Sequence, residues 1–428
     1  MSASVATTPS RLPAWTCPFC ALLCDDVSLD VDAQGVPSLA GGRCPRASAA
    51  LARFGAAAPV APSVDGQPVP LDLALESAAG LLRRARSPLI GGLGSDVAGA
   101  RAWMRLAAAC GAVCDAAASA GQTAALRVLQ DRGGYFTTLA ELRTRAELIV
   151  VVGSAPAERH PRLWERIAPA AGEPSRALDV VLLGVPDADA ERARIAQALP
   201  SATIAAHPAA PDLHGELATL AALVAGRAVE RASDTQRRLA ELLRASRYAV
   251  LLWEPGALPV PAELAIESMQ RTIGTLNLTT RAAGFVLGGG DGAATAQQVH
   301  AWQTGLPLRT RHGPLGLEHD PWRHGAAALA ADGAIDALLW IASHGTEPPP
   351  PEWAGPLVLL GHPSFAPLAQ GRAGDSVFIP VATPGIGHGG HQFRAEFSVL
   401  MPLTPARSEP LPSVAEIVAR LTAKVRST

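Results

Sequence analysis

Short apolar runs alternate with amphipathic stretches along most of the chain. Seven runs stand out: Pro88–Leu93, Glu147–Val152, Leu178–Leu183, Tyr248–Trp253, Ala337–Ile341, Leu357–Leu360 and Val377–Val381. Each is bounded by polar or turn-forming residues, the pattern of strands buried on both faces of a parallel sheet. Between them, helical spacing of apolar positions predicts helices over Leu71–Arg84, Val97–Cys110, Ala190–Ala198, Asp212–Val224, Asp234–Ser246, Ala262–Ile273, Thr295–Thr304 and Val414–Lys424. Strand alternating with helix predicts an α/β architecture with largely parallel sheets. The last helix, near the end of the chain, reads as a docking element.

Prolines and glycines mark the seams. Pro59–Pro70 reads as a boundary. Glu347–Pro351 reads as a rigid, polyproline-like surface connector. Thr383–His391 is a glycine-rich loop after a strand, and no internal repeat of fixed period occurs. A chain of 428 residues suits two to four domains at ~100–200 residues each. The seams divide it into 1–58, an N-terminal four-cysteine domain; 59–175 and 176–282, two α/β domains; and 283–428, an α/β domain with a C-terminal segment.

Composition narrows the class. Hydrophobic residues make up 48% and charged residues 17%, which excludes a disordered chain. The net charge of -2, without a basic stretch, gives no reason to expect a nucleic-acid partner. Nearly all cations are arginine, Lys424 being the one lysine. No run approaches the ~18–20 apolar residues of a membrane span, and the first residues lack a signal-peptide pattern. The expected compartment is the cytoplasm, where clustered cysteines are metal ligands more often than disulfides.

That expectation gives weight to Cys17-Pro-Phe-Cys20-Ala-Leu-Leu-Cys24 and the later Gly41-Gly42-Arg43-Cys44. Three sulfurs at these short intervals can turn toward one centre, and a distant fourth closes it. Thiolates suit iron–sulfur clusters and zinc alike. The residues alone leave open a cluster, a zinc ion or four unligated cysteines. Cys110 and Cys114, in a helix-to-loop segment, read as core packing. Gly288–Gly292 reads as a turn, because it does not form the glycine fingerprint of a dinucleotide loop. His388 and His391 read as solvated or hydrogen-bonding residues, and Arg281, Arg309 and Arg311 as surface ion-pair formers. Asp25 and Asp26 follow Cys24 and either cap the loop or face water. No nucleophile elbow, zincin or phosphate-loop motif is present.

The stretch CPFCALLCDD, followed by GGRCPRA, resembles the cluster loop of the formylmethanofuran dehydrogenase B-subunit family, in the molybdopterin oxidoreductase superfamily. The resemblance continues through Gly111–Arg166, Thr280–Thr310, Ala334–Pro349 and Asp375–Arg394, and is weakest over Leu178–Ile273. It implies a multi-domain, Rossmann-like fold of the formate dehydrogenase/DMSO reductase type. It also implies a [4Fe-4S] cluster on Cys17, Cys20, Cys24 and Cys44. In the redox members a tungsten or molybdenum bis-pterin is ligated by a cysteine or selenocysteine from the loop after the strand matching Pro88–Leu93.

Here that loop reads Gly91-Gly92-Leu93-Gly94-Ser95-Asp96-Val97-Ala98, without cysteine. Ser95 or Asp96 would be the only replacement ligand, and the simpler expectation is that the pterin metal is absent. This departure resembles a bacterial branch, the B subunit of the formyltransferase/hydrolase complex of tetrahydromethanopterin-using methylotrophs. There the formyl transfer and the release of formate belong to other subunits. The resemblance implies a non-catalytic scaffold in one-carbon metabolism. Its implied partners are the other subunits of that complex, especially one resembling the C subunit, and neither nucleic acid nor membrane. The rival readings are a redox-active B subunit with its tungsten or molybdenum pterin, and an iron–sulfur electron-transfer subunit.

Overall fold

All seven apolar runs form strands and all eight amphipathic stretches form helices, with ends shifted by at most three residues. The computed structural model describes residues 9–55, 60–170, 172, 176–208, 212–372 and 374–427. The expected seams after residues 58 and 175 fall outside the described residues. The chain forms two units: Met1–Ser119 together with Gly289–Thr428, and the inserted Ala120–Gly288.

The first unit starts with an antiparallel sheet of β1 (Ser10–Trp15), β2 (Val27–Val31) and β3 (Pro37–Leu39). Next come the helix Pro45–Leu51, the hairpin β4 (Ser63–Val64) and β5 (Gln67–Pro68), then β6 (Pro88–Gly94) and β7 (Val113–Ala116). The stretch Pro59–Pro70, read as a seam, therefore carries a hairpin: β4 pairs with a later strand of the main sheet. The inserted unit contributes β8 (Leu148–Val152), β9 (Asp179–Leu183), β10 (Thr203–His207), β11 (Tyr248–Trp253) and β12 (Arg281–Val286). These are all parallel in the order β10-β9-β8-β11-β12, with helices between them. That is a doubly wound order.

The chain then returns with β13 (Thr310–Gly313), β14 (Gly316–His319), β15 (Ala337–Ala342), β16 (Leu357–Gly361), β17 (Ser376–Pro380), β18 (Gly390–Phe393) and β19 (Leu400–Leu403). The main sheet has the order β14-β13-β7-β6-β15-β16-β17-β4-β5. Its centre, β7 to β17, is parallel and its margins are antiparallel. Every residue of β6, β15, β16 and β17 is buried, so alternation could not have revealed these strands and continuous apolarity did.

One face of this sheet packs against helices Leu71–Arg84, Val97–Cys110, Ala293–Thr304 and Val414–Arg426. The last has a full capping box, Ser413 with Glu416, and buries Ile417, Val418, Leu421 and Val425. Helix Val97–Cys110 starts on Asp96, whose side chain accepts from Gly99 N, and ends on Gly111 at φ 71. Cys110 closes that helix, but Cys114 lies in β7 rather than in a loop, fully buried. A buried four-residue strand shows neither period, which is why the sequence pattern missed it.

The two halves of the main sheet wind in opposite directions. From β6 the chain crosses to β7 on one side; from β15 it proceeds through β16 to β17 on the other. The carboxyl ends of β6 and β15 therefore flank a topological switch point, where open α/β sheets place their ligands.

Candidate functional site

Two features meet at this end of the main sheet: the four-cysteine loop and the loops leaving β6, β15 and β17. In the cysteine loop, Cys17 N donates to Cys24 O at 2.9 Å and Leu23 N to Cys20 O at 3.1 Å. The turn places Leu23 in the left-handed region at φ 40. Cys44 stands at the head of helix Pro45–Leu51. All four thiols are buried.

Burial pushes the Cys17 thiol far up, and the neighbouring Cys20, Cys24 and Cys44 add to it. Cys20 is pushed up to about 12, first by burial and then by Cys24. The other three sulfurs are thus close enough to Cys17 to oppose its ionisation, a situation that bound cationic metal relieves. Among the described residues, no group of three or more His, Cys, Asp or Glu side chains is drawn together tightly enough to hold a metal ion, these four included.

The loop is fastened from several sides. Arg46 Nε donates to Phe19 O at 2.5 Å, and its Nη2 lies 3.3 Å from Asp291 Oδ2. Ala395 N donates to Ala21 O at 2.8 Å, and Trp15 Nε1 to Gly385 O at 2.9 Å. Gly290 packs on the loop, and a Cβ there would lie 3.6 Å from Cys20 Cα, in ordinary van der Waals contact. The Gly288–Gly292 turn is therefore a turn, as its sequence suggests, yet its Asp291 has a definite task.

Beside it, the end of β6 is strained and tightly packed. Gly92 and Leu93 both take positive φ, 74° and 61°. For a buried leucine that conformation costs of order 1–2 kcal/mol. Register with β15 is irregular there. Ser343 Oγ donates to Gly94 O at 2.8 Å and Thr383 Oγ1 to Ser343 O at 2.5 Å, tying together the ends of β6, β15 and β17.

Ser95 and Asp96 are both buried. The Asp96 carboxylate caps its own helix through Gly99 N at 2.9 Å, and a Cβ on Gly390 would lie 2.5 Å from its Oδ2. Glu347 fills the space over Gly94. A Cβ on Gly292 would lie 2.7 Å from Ser95 O. The crevice at the switch point is lined and filled by the chain's own polar side chains.

Glu347 is the main correction to the sequence reading. It does not begin a surface connector but is buried. Its Oε1 accepts from His344 N at 2.6 Å and faces His344 Nδ1 at 2.9 Å, while Oε2 accepts from Thr346 N at 3.1 Å. Gln392 reaches the other nitrogen of His344 at 2.7 Å. Thr346 Oγ1 donates to Asp291 Oδ1 at 2.6 Å, which links this cluster to Arg46.

Sequence reasoning missed His344, Glu347, Asp291, Gln392 and Arg46. The available signal was polar residues directly after strands, in Ser343–Glu347 and around the Gly288–Gly292 turn. Arg309 also differs from expectation: it is largely buried, 3.6 Å from the buried Asp115, because both lie where β7 meets β13. Arg281 is exposed, over the Tyr248 ring. His388 bonds Gly389 O at 2.6 Å, and His391 is exposed. In the inserted unit, the switch point between β8 and β11 carries a buried His160–Glu254 pair at 3.0 Å.

No family model matches the chain. It is 32% identical over 370 residues to the B subunit of the formyltransferase/hydrolase complex Fhc of Methylorubrum extorquens, covering 85% of this chain and 96% of that protein. It is 34% identical over 158 residues to the B subunit of the tungsten-containing formylmethanofuran dehydrogenase 2 of Methanocaldococcus jannaschii, 35% of this chain and 36% of that one. In three dimensions it matches a chain of the crystal structure of the formyltransferase/hydrolase complex from M. extorquens in complex with methylofuran. The TM-score is 0.72 and the identity 30%, covering 85% of this chain and 98% of that chain. With an arginine-tied cysteine loop beside a self-filled switch-point crevice, and a full-length relative at this identity, the chain belongs to the B-subunit family of the formyltransferase/hydrolase complex.

Proposed function

We propose that this chain is a non-catalytic scaffold subunit of a formyltransferase/hydrolase complex, descended from a formate dehydrogenase/DMSO reductase-like enzyme. Formyl transfer between one-carbon carriers and release of formate would take place on partner subunits, one of them resembling the C subunit of such complexes. The observation that carries this reading is the end of β6. At the loop where the redox relatives place a metal-ligating cysteine stand Ser95 and Asp96, both buried, with the Asp96 carboxylate already capping a helix.

A bulky bis-pterin does not fit this set. Glu347 and Asp96 pack against Gly94 and Gly390, and the loop carries no thiol. A further carboxylate at the helix start, Asp96, disfavours a pyrophosphate there. The four cysteines, by contrast, have the donor chemistry for a sulfur-bound centre. Thiolate donors of this kind suit an iron–sulfur cluster. They would hold a [4Fe-4S] cluster that fastens the loop rather than one that feeds a catalytic metal.

The test is to isolate the native complex anaerobically and measure iron, zinc, tungsten and molybdenum per chain. The expected result is co-purification with a partner of the C-subunit type, near four irons, and neither tungsten nor molybdenum. Tungsten or molybdenum with pterin would establish the redox reading instead. A cluster that exchanges electrons with a partner would make this an electron-transfer protein. A chain that purifies alone as a monomer would overturn the scaffold.

A further inference from the structure

His344 lies at the centre of the filled crevice with none of its surface exposed. Its Nδ1 is 2.9 Å from Glu347 Oε1. A carboxylate has no hydrogen to give, so Nδ1 carries one. Its Nε2 is 2.7 Å from the Gln392 amide. That amide satisfies either form of the ring: its NH2 donates to a bare Nε2, or, turned over, its oxygen accepts from a protonated one. Hydrogen bonding alone does not choose, and charge does.

The charged groups that act on the ring come from three segments. Glu347 follows β15, Asp96 heads helix Val97–Cys110, and Asp291 stands in the turn before helix Ala293–Thr304. All three carboxylates favour a charged ring, and together they outweigh the burial that opposes it. Gln392, from β18, is neutral. His362, after β16, is held down to about 4 by burial and by Arg53 and Arg407, so it adds no positive charge. Among the described residues, Arg46 is the cation bonded into the cluster, and it is committed to Asp291. A neutral His344 leaves two more carboxylates than cations in a closed crevice, an arrangement of high cost.

We propose that His344 is an imidazolium in the folded chain, an internal cation that binds the loops after β6 and β15 and the Asp291 turn into one closed cluster. Loss of its proton then removes the cation that these three segments share. The sign follows from linkage. A ring that holds its proton more tightly when folded stabilises fully below the unfolded value of ~6.5, and the stabilisation fades as pH rises through the folded value.

The test uses the full chain with 15N-labelled imidazoles, followed by NMR from pH 5 upward. The expected result is one ring with both nitrogens protonated at pH 7, absent from His344→Gln. If that variant does not fold, Gln392→Glu, which keeps an acceptor, assigns the ring by shifting its titration upward. Thermal midpoints should fall above pH ~6.5 in the parent and stay flat in His344→Gln. A ring that is neutral at pH 7, with hydrogen on Nδ1 alone, overturns the proposal. So does an equal pH slope in parent and variant.

Discussion

Arg46 belongs at once to the cysteine loop and to the crevice, because one guanidinium donates to Phe19 O and faces Asp291. Its fork is suited to such double duty, and lysine would not replace it. Arg46→Met should cost about 1–3 kcal/mol, since a half-buried carboxylate and a carbonyl lose a charged donor. The same change should speed reaction of the four thiols with a disulfide reagent. Urea denaturation and thiol titration measure the two effects.

Two other histidines act in the opposite pH direction from His344. Burial holds His300 and His362 down, each to about 4. His300 Nδ1 donates to Leu306 O at 2.7 Å and its Nε2 meets His312 Nε2 at 3.3 Å, a neutral pair. The unfolded chain takes up protons that the folded chain refuses, so stability should fall as pH drops from ~6.5 toward 4. The loss reaches at most about 3 kcal/mol for each residue. His300→Gln should flatten part of this acid slope in urea midpoints taken at pH 7 and pH 5.

At the scale of elements, β6 and β15 are held in place by small residues against a large one. A Cβ on Gly91 would lie 2.7 Å from the Trp340 ring. Gly91→Ala should therefore destabilise by about 1–3 kcal/mol through overpacking, visible as a lower thermal midpoint. On the helical face, Leu421 of Val414–Arg426 is fully buried among Leu75, Leu82 and Trp103 in one core. Leu421→Ala should cost about 2–5 kcal/mol. Ser413→Ala, which removes only the cap, should cost about 1 kcal/mol. The ratio of the two separates docking of this helix from its local formation.

For the molecule as a whole, the scaffold proposed above would differ from a redox relative in what packs at the end of β6. Restoring one ligand should not restore a site. Ser95→Cys is expected to take up no tungsten or molybdenum, by metal analysis of the complex after growth with either. The carboxylates of Glu347 and Asp96 still occupy the space in front of the loop. No helix among the described residues is long and apolar enough to cross a membrane. The largest commitments of the chain are instead two separate cores built on two sheets.

Much of this was legible in the amino-acid order. Val97–Cys110 and Tyr248–Trp253 appear with the bounds their apolar pattern predicts, because a helical period in the first and an unbroken apolar run in the second leave a local trace. The cysteine spacing and the missing thiol after β6 are local facts too. What the order of residues could not convey is pairing across distance. Glu347 sits before four prolines and reads as surface, but 0% exposed His344 and the glycine at position 94 draw it inward. Arg46 and Asp291 are 245 positions apart, and Gln392 meets His344 across 48. Secondary structure follows from neighbours along the chain, whereas a buried polar cluster exists only where a sheet brings the ends of its strands together.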